Sequence, residues 1–139
     1  MCAAVECEIL LVEDSPDDIA LTLRALSKHH LANRVQVARD GVEAFEYLRS
    51  SSRPKVILLD LKLPRMNGLE VLERLKADAG MSSIPVVVLT SSREEPDIEK
   101  AYKLGVNSYI VKPVEFEQFM AAVSEVGLYW LVVNQSPGT

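Results

Sequence analysis

Cysteine is scarce in this chain of 139 residues: only Cys2 and Cys7 occur, both near the N-terminus. Two thiols five residues apart could close at most one tiny loop, which excludes a disulfide scaffold. Cys7 reads as a small apolar residue opening a strand, and Cys2 as part of a loose terminus. Six glycines and seven prolines are too few for a collagen-like or low-complexity chain. Basic residues are outnumbered, 15 Lys and Arg against 20 Asp and Glu, for a net charge of −5. No basic stripe is visible, so nucleic acid is not an expected partner. Long apolar runs are also missing. The longest spans Val126 to Val133, with Gly127 inside it, and falls far short of the roughly 20 residues that cross a bilayer. No basic segment followed by an apolar one opens the chain. A soluble cytoplasmic protein with no membrane partner is expected.

The residues that are present suit one domain with a sizeable core: 48% belong to the hydrophobic set and 25% are charged. Short apolar runs alternate with amphipathic stretches five times. Ile9–Val12, Val56–Leu59 and Val86–Leu89 are continuous apolar runs of strand length, the pattern of parallel strands covered on both faces. Val35 with Val37 marks a weaker strand, and Tyr109–Val111 a fifth. Helical stripes lie between them: Ile19, Leu23, Leu26 and His30; Val42, Phe45 and Leu48; Leu69, Leu72 and Leu75; Ile98, Ala101 and Tyr102; then Phe116, Phe119, Val123, Val126 and Trp130. Ser15-Pro16-Asp17-Asp18 supplies a cap, a first-position proline and first-turn acids. Asp40 and Asn67 each stand three residues before a glutamate, as helix caps do. The expected fold is α/β: a doubly wound (βα)5 three-layer sandwich, flavodoxin-like, with parallel strand order 2-1-3-4-5.

In such sheets ligand chemistry gathers beyond the carboxyl ends of the strands, at the switch between strands 1 and 3. Strand 1 ends in Glu13-Asp14, strand 3 in Asp60, strand 4 in Thr90 and strand 5 in Lys112-Pro113, whereas strand 2 ends in Ala38-Arg39 with no comparable group. Taken singly, each of these residues is a turn former, a cap or a solvated side chain. Their joint placement at four strand ends points to a site. Carboxylates forced together repel by roughly 4 kcal/mol per pair at 4 Å and an effective dielectric of 20, and a hard cation relieves this. Oxygen donors without Cys or His favour Mg²⁺ or Mn²⁺ over Zn²⁺. The chemistry that fits is phosphoryl transfer to a carboxylate. Asp60 would be the acceptor, Asp14 with Glu13 the metal holders, Lys112 the charge partner and Thr90 a hydroxyl donor to a phosphoryl oxygen.

Four segments carry a resemblance: Val12-Glu13-Asp14, Leu58 to Gly68, Val88-Leu89-Thr90-Ser91, and Gly105 to Pro113. Together they resemble the receiver domain of two-component response regulators, over roughly residues 7–128. The resemblance implies that Asp14 and Asp60 bind Mg²⁺ together with the backbone carbonyl of Lys62. It also implies that a histidine kinase phosphorylates Asp60, and that Lys112-Pro113 is a cis peptide. Glu13 to Asp18, Ala38 to Ala44, Gly105-Val106-Asn107 and Tyr129-Trp130-Leu131 are similar to the single-domain regulators that partner bacterial phytochromes. On this basis residues 1–6 are an N-terminal extension and 129–139 the end of the last helix and a tail, with no output domain. Phosphorylation would draw Thr90 inward and let the ring of Tyr109 follow it. Apolar residues in excess on the last helix, Met120, Leu128, Tyr129, Leu131, Val132 and Val133, then suggest a homodimer through helix 4, strand 5 and helix 5.

Competing readings are an Asp-nucleophile, Mg²⁺-dependent phosphohydrolase, a flavin-binding module and a phosphate-independent binding module. Hydrolases resembling the haloacid-dehalogenase group need an acid two residues after the nucleophile, where this chain has Lys62. The protein is therefore expected to be no enzyme beyond its own phosphorylation and dephosphorylation. A flavin phosphate would have to sit among Asp14, Asp17 and Asp18. The intact set Asp14, Asp60, Thr90 and Lys112 argues against the third. His29-His30 reads as cations near a helix end rather than as ligands.

Overall fold

The computed structural model describes residues 8–28, 31–50, 53–91 and 96–125. Five parallel strands stand in the order β2-β1-β3-β4-β5, and the strand–helix alternation is that expected from the apolar runs. In chain order the elements are β1 (Ile9–Val12), α1 (Pro16–Ser27), β2 (Val35–Ala38), α2 (Gly41–Ser50), β3 (Val56–Asp60), α3 (Gly68–Ala77), β4 (Val86–Thr90), α4 (Pro96–Lys103), β5 (Ser108–Val111) and α5 (Phe116–Glu125). A 3₁₀ turn at Ala32–Arg34, unsignalled by periodicity, leads into β2. His29, His30, Cys2, Cys7, Val126, Trp130 and the terminal apolar residues lie outside the described residues.

The central strands β1, β3 and β4 are buried at every position, as continuous apolar runs require when helices cover both faces. β2, at the edge, buries only Val35 and Ala38 fully. Alternation along the strands splits the core. Ile9, Leu11, Leu58 and Leu89 pack with Ile19 and Leu26 of α1 and with Phe119 and Val123 of α5. Leu10, Val12, Leu59 and Val88 pack with residues of α2, α3 and α4. Phe119 is among the largest fully buried side chains, and truncating such a ring to alanine costs about 3–5 kcal/mol.

The stripes hold with local shifts. Val71 joins Leu72 and Leu75 in the core of α3, while Leu69 is half-buried. Tyr102, placed on the inner stripe by spacing, is 44% exposed. Its ring stands edge-on to Tyr109 at 6.4 Å instead of entering the core. The three expected caps form: Ser15 Oγ accepts from the Asp18 amide, Asp40 Oδ1 from Glu43 and Asn67 Oδ1 from Glu70. Gly68 is required sterically, because a Cβ there would collide with the Asp60 carbonyl and the Leu61 Cα. The start of α3 thus packs directly onto the end of β3, and the Gly68 amide donates to Leu61 O at 2.9 Å.

Candidate functional site

Strand register decides which side chains meet. Val12 pairs with Leu59, Asp60 with Leu89 and Thr90 with Val111. Each strand therefore emerges near the level of its neighbour, and Glu13, Asp60, Thr90 and Lys112 converge along one edge of the sheet. The Lys112 amide donates to Thr90 O at 2.8 Å, which ties the last two together. Lys112-Pro113 is a cis peptide.

Ligand oxygens of Glu13, Asp14 and Asp60 lie within 4.8 Å of one another. Glu13 and Asp60 are buried. Lys112 Nζ is 2.9 Å from Glu13 Oε1, 3.0 Å from Asp18 Oδ2 and 3.1 Å from Asp60 Oδ2. Asp60 Oδ1 accepts from the Lys62 amide at 3.1 Å, so the turn after β3 orients the carboxylate, and Lys62 itself is exposed. Thr90 is buried at the end of β4.

One ammonium therefore serves three carboxylates, with Asp14 beside them. Burial is the main reason that the Glu13 carboxyl is pushed up to about 7; the neighbouring Asp60 adds to this and Lys112 opposes it. Burial works against the Lys112 ammonium too, but Glu13, Asp18 and Asp60 outweigh it and hold its pKa above the ordinary lysine range. Glu13 Oε1 is buried with no well-directed hydrogen bond, although the ammonium lies at ion-pair distance. A buried acceptor left in that state, in an all-oxygen cluster carrying surplus negative charge, fits a hard divalent cation.

A second carboxylate–cation contact lies just past β2, the strand whose end, Ala38-Arg39, carries no comparable functional group in the sequence. Asp40, two residues beyond β2, is buried. Its Oδ2 accepts from Arg65 Nε at 2.8 Å and also from Nη2. Arg65 lies in the β3–α3 loop with φ +61°. Burial alone would raise the Asp40 carboxyl, yet the Glu43 amide and the Arg65 guanidinium together hold it below the usual carboxylate range. The signal was Asp40 itself, visible as a cap; its partner stands 25 residues away.

Tyr109 sits on β5 opposite Val88. With Tyr102, Val111, Gln118 and Glu125 it lines a groove of about 400 Å³ between α4 and α5.

Glu13, Asp14, Asp60 and Lys112, gathered beyond the carboxyl ends of the strands, place the chain in the class of doubly wound α/β proteins with an acidic, cation-fitting pocket at the switch point of the sheet. The chain belongs to one family within that class, the response regulator receiver domain, whose family model matches residues 9–124. It is 43% identical over 135 residues to the probable methanogenesis regulatory protein FilR2 of Methanothrix harundinacea, covering 94% of this chain and 87% of that protein. The structure of the bacteriophytochrome response regulator AtBRR is similar at TM-score 0.80 and 55% identity, covering 88% of this chain and 93% of that one. The Mn²⁺-bound form of response regulator Rcp1 is similar at TM-score 0.69 and 38% identity, over 88% of this chain and 93% of that chain. Receiver domains act as phosphoacceptors in two-component phosphorelays, rather than as enzymes of small-molecule turnover, and bind Mg²⁺ or Mn²⁺ at an acidic pocket. Among the described residues no helix is long and apolar enough to cross a membrane.

Proposed function

We propose that Asp60 is the phosphoacceptor of this protein and that a histidine kinase of the phytochrome type is its donor. An Asp60 carboxylate oxygen attacks the phosphorus of the kinase phosphohistidine; the new P–O bond replaces the P–N bond, and the imidazole leaves. Glu13, Asp14, Asp60 and the Lys62 carbonyl would hold a divalent cation, Mg²⁺ or Mn²⁺, which would supply Lewis-acid charge neutralisation at the site. Lys112, 3.1 Å from Asp60, transfers its ion pair from the carboxylate to the phosphoryl group, and the Thr90 hydroxyl donates to another phosphoryl oxygen. The Lys62 amide keeps the Asp60 carboxylate oriented. Phosphorylation and autodephosphorylation of Asp60 are the whole of the chemistry, and no small-molecule ester is turned over.

The observation that carries this reading is the convergence of Asp60 with Lys112, Glu13 and Asp14 at the switch between β1 and β3. The likeness to a bacteriophytochrome response regulator supports the kinase class. Residues 7–128 are read as the receiver unit of a cytoplasmic protein. The signal leaves through α4, β5 and α5. Thr90 moves toward the phosphoryl group, the Tyr109 ring follows, and the groove beside Tyr102 and the exposed Met120 becomes the contact of a homodimer.

Phosphotransfer from a phytochrome-type kinase is expected to label the wild type and to leave Asp60→Asn unlabelled; equal labelling of the two would overturn the assignment. Sedimentation with Mg²⁺ and beryllofluoride is expected to show a dimer. A monomer at every concentration would remove the proposed output.

A further inference from the structure

We propose that Asp18 is a positioning residue for Lys112, holding the ammonium when a divalent cation takes the neighbouring acids. The inference rests on the metal-site reading above.

Asp18 occupies the third position of α1, and its amide donates to the cap Ser15 Oγ at 3.2 Å. In a reciprocal capping box the side chain at that position returns to the cap residue's amide. Here the Ser15 amide is 3.3 Å from Glu13 Oε2 instead. The Asp18 carboxylate turns away from its own helix, to Lys112 Nζ, 94 residues distant in sequence. A first-turn acid with only a helix-dipole role needs no such contact.

The three partners of Lys112 are not equivalent. Glu13 and Asp60 belong to the cluster whose oxygens lie within 4.8 Å of one another, and Asp18 does not. A cation among those oxygens competes with the ammonium for two of its three anions, and Asp18 is the uncontested one. The ammonium cannot simply retreat into water, since only 16% of the Lys112 side chain is exposed. It also stands near the N-terminus of α1, where the helix dipole disfavours a cation. Asp18, with a third of its side chain exposed, keeps the ammonium paired without drawing it back onto the metal's carboxylates.

The test measures Mn²⁺ binding to the full chain by electron paramagnetic resonance of the free ion. Asp18→Asn is expected to weaken binding about three- to tenfold, within the range of coupling between contacting residues. Asp17→Asn, the same charge change on the exposed preceding residue, is expected to cost less than about twofold, because exposed charges are screened. In a Lys112→Met background, which keeps the aliphatic stem, the Asp18→Asn effect is expected to fall to the Asp17 level. Asp18→Glu is expected to restore most of the affinity. Asp18→Ser is measured alongside, so that the result does not hang on the folding of one variant. An Asp18→Asn effect no larger than that of Asp17→Asn, or one that persists undiminished without Lys112, would overturn the proposal while leaving the metal site standing. A wild type that takes up no Mn²⁺ overturns both.

Discussion

Two places in this molecule set a buried carboxylate against a cation, and they do so in opposite ways. At Asp40 the pairing is closed: one oxygen caps α2 through the Glu43 amide, the other takes the Arg65 guanidinium, and the carboxyl is held below its ordinary range. Beyond β1 and β3 it is open: one ammonium is divided among three acids, the Glu13 carboxyl is pushed up to about 7, and Glu13 Oε1 lacks a well-directed donor. The first arrangement reads as scaffold. The second holds more negative charge than its own lysine can neutralise, which is the condition under which a divalent cation and then a phosphoryl group become welcome. A buried carboxylate is therefore informative only together with its count of donors and cations.

The strongest test of that contrast is covalent. With acetyl phosphate and Mg²⁺, intact-mass spectrometry is expected to show a reversible gain of one phosphoryl unit in the wild type and in Asp40→Asn, and none in Asp60→Asn. Loss of the adduct in Asp40→Asn would mean that the two carboxylates are not separable in function.

Much of this division was legible in the residues themselves. The runs Ile9–Val12, Val56–Leu59 and Val86–Leu89 have strand length and no alternation, which suits strands covered on both sides, and they form such strands. Once the strands are set, parallel register carries Glu13, Asp60, Thr90 and Lys112 to one edge. Three things were not legible. Asp18 and Asp40 could be read only as helix-start acids, because their cations lie 94 and 25 residues away and local pattern does not encode such pairings. The left-handed backbone at Arg65 falls on a residue that does not announce it. Tyr102 had helical spacing for the core but found a ring partner at the surface instead. Periodicity reports the face a side chain is expected to take, and a partner on a neighbouring element can override it.

The next test concerns who supplies the missing charge. Mg²⁺ at a hundred times its dissociation constant is expected to raise the unfolding free energy by about 2.7 kcal/mol, the mass-action value for a ligand that binds only the folded chain. The gain should persist in Asp40→Asn and shrink in Asp14→Asn, as measured by urea unfolding with and without chelator. Equal gains in both variants would place the cation elsewhere.

The closed pair is probed from its cation side. Arg65→Ala strips the guanidinium from a buried carboxylate and is expected to destabilise by about 2 kcal/mol. Arg65→Gly is expected to be milder by about 1 kcal/mol, because glycine adopts φ +61° without steric cost. Identical losses would show that the loop conformation stores no strain in the wild type.

The smallest effect is a pH signature. Asp40 has its carboxyl lowered in the fold relative to the ordinary 3.8, so its ionised form is the one that the native state prefers. The corresponding stability is fully present above the unfolded value and is lost as pH falls through the folded one. Asp40→Asn retains a cap oxygen and removes only the charge, which isolates the Arg65 contribution. The urea midpoint of the wild type should exceed that of Asp40→Asn by a constant margin between about pH 5 and 7, corresponding to roughly 1 kcal/mol for a partly exposed pair. That margin should close on acidification below the unfolded carboxyl value. A margin that stays open in acid would show that Arg65 acts by packing its stem rather than by its charge, and the contrast between the closed and open carboxylates would then be one of shape instead of electrostatics.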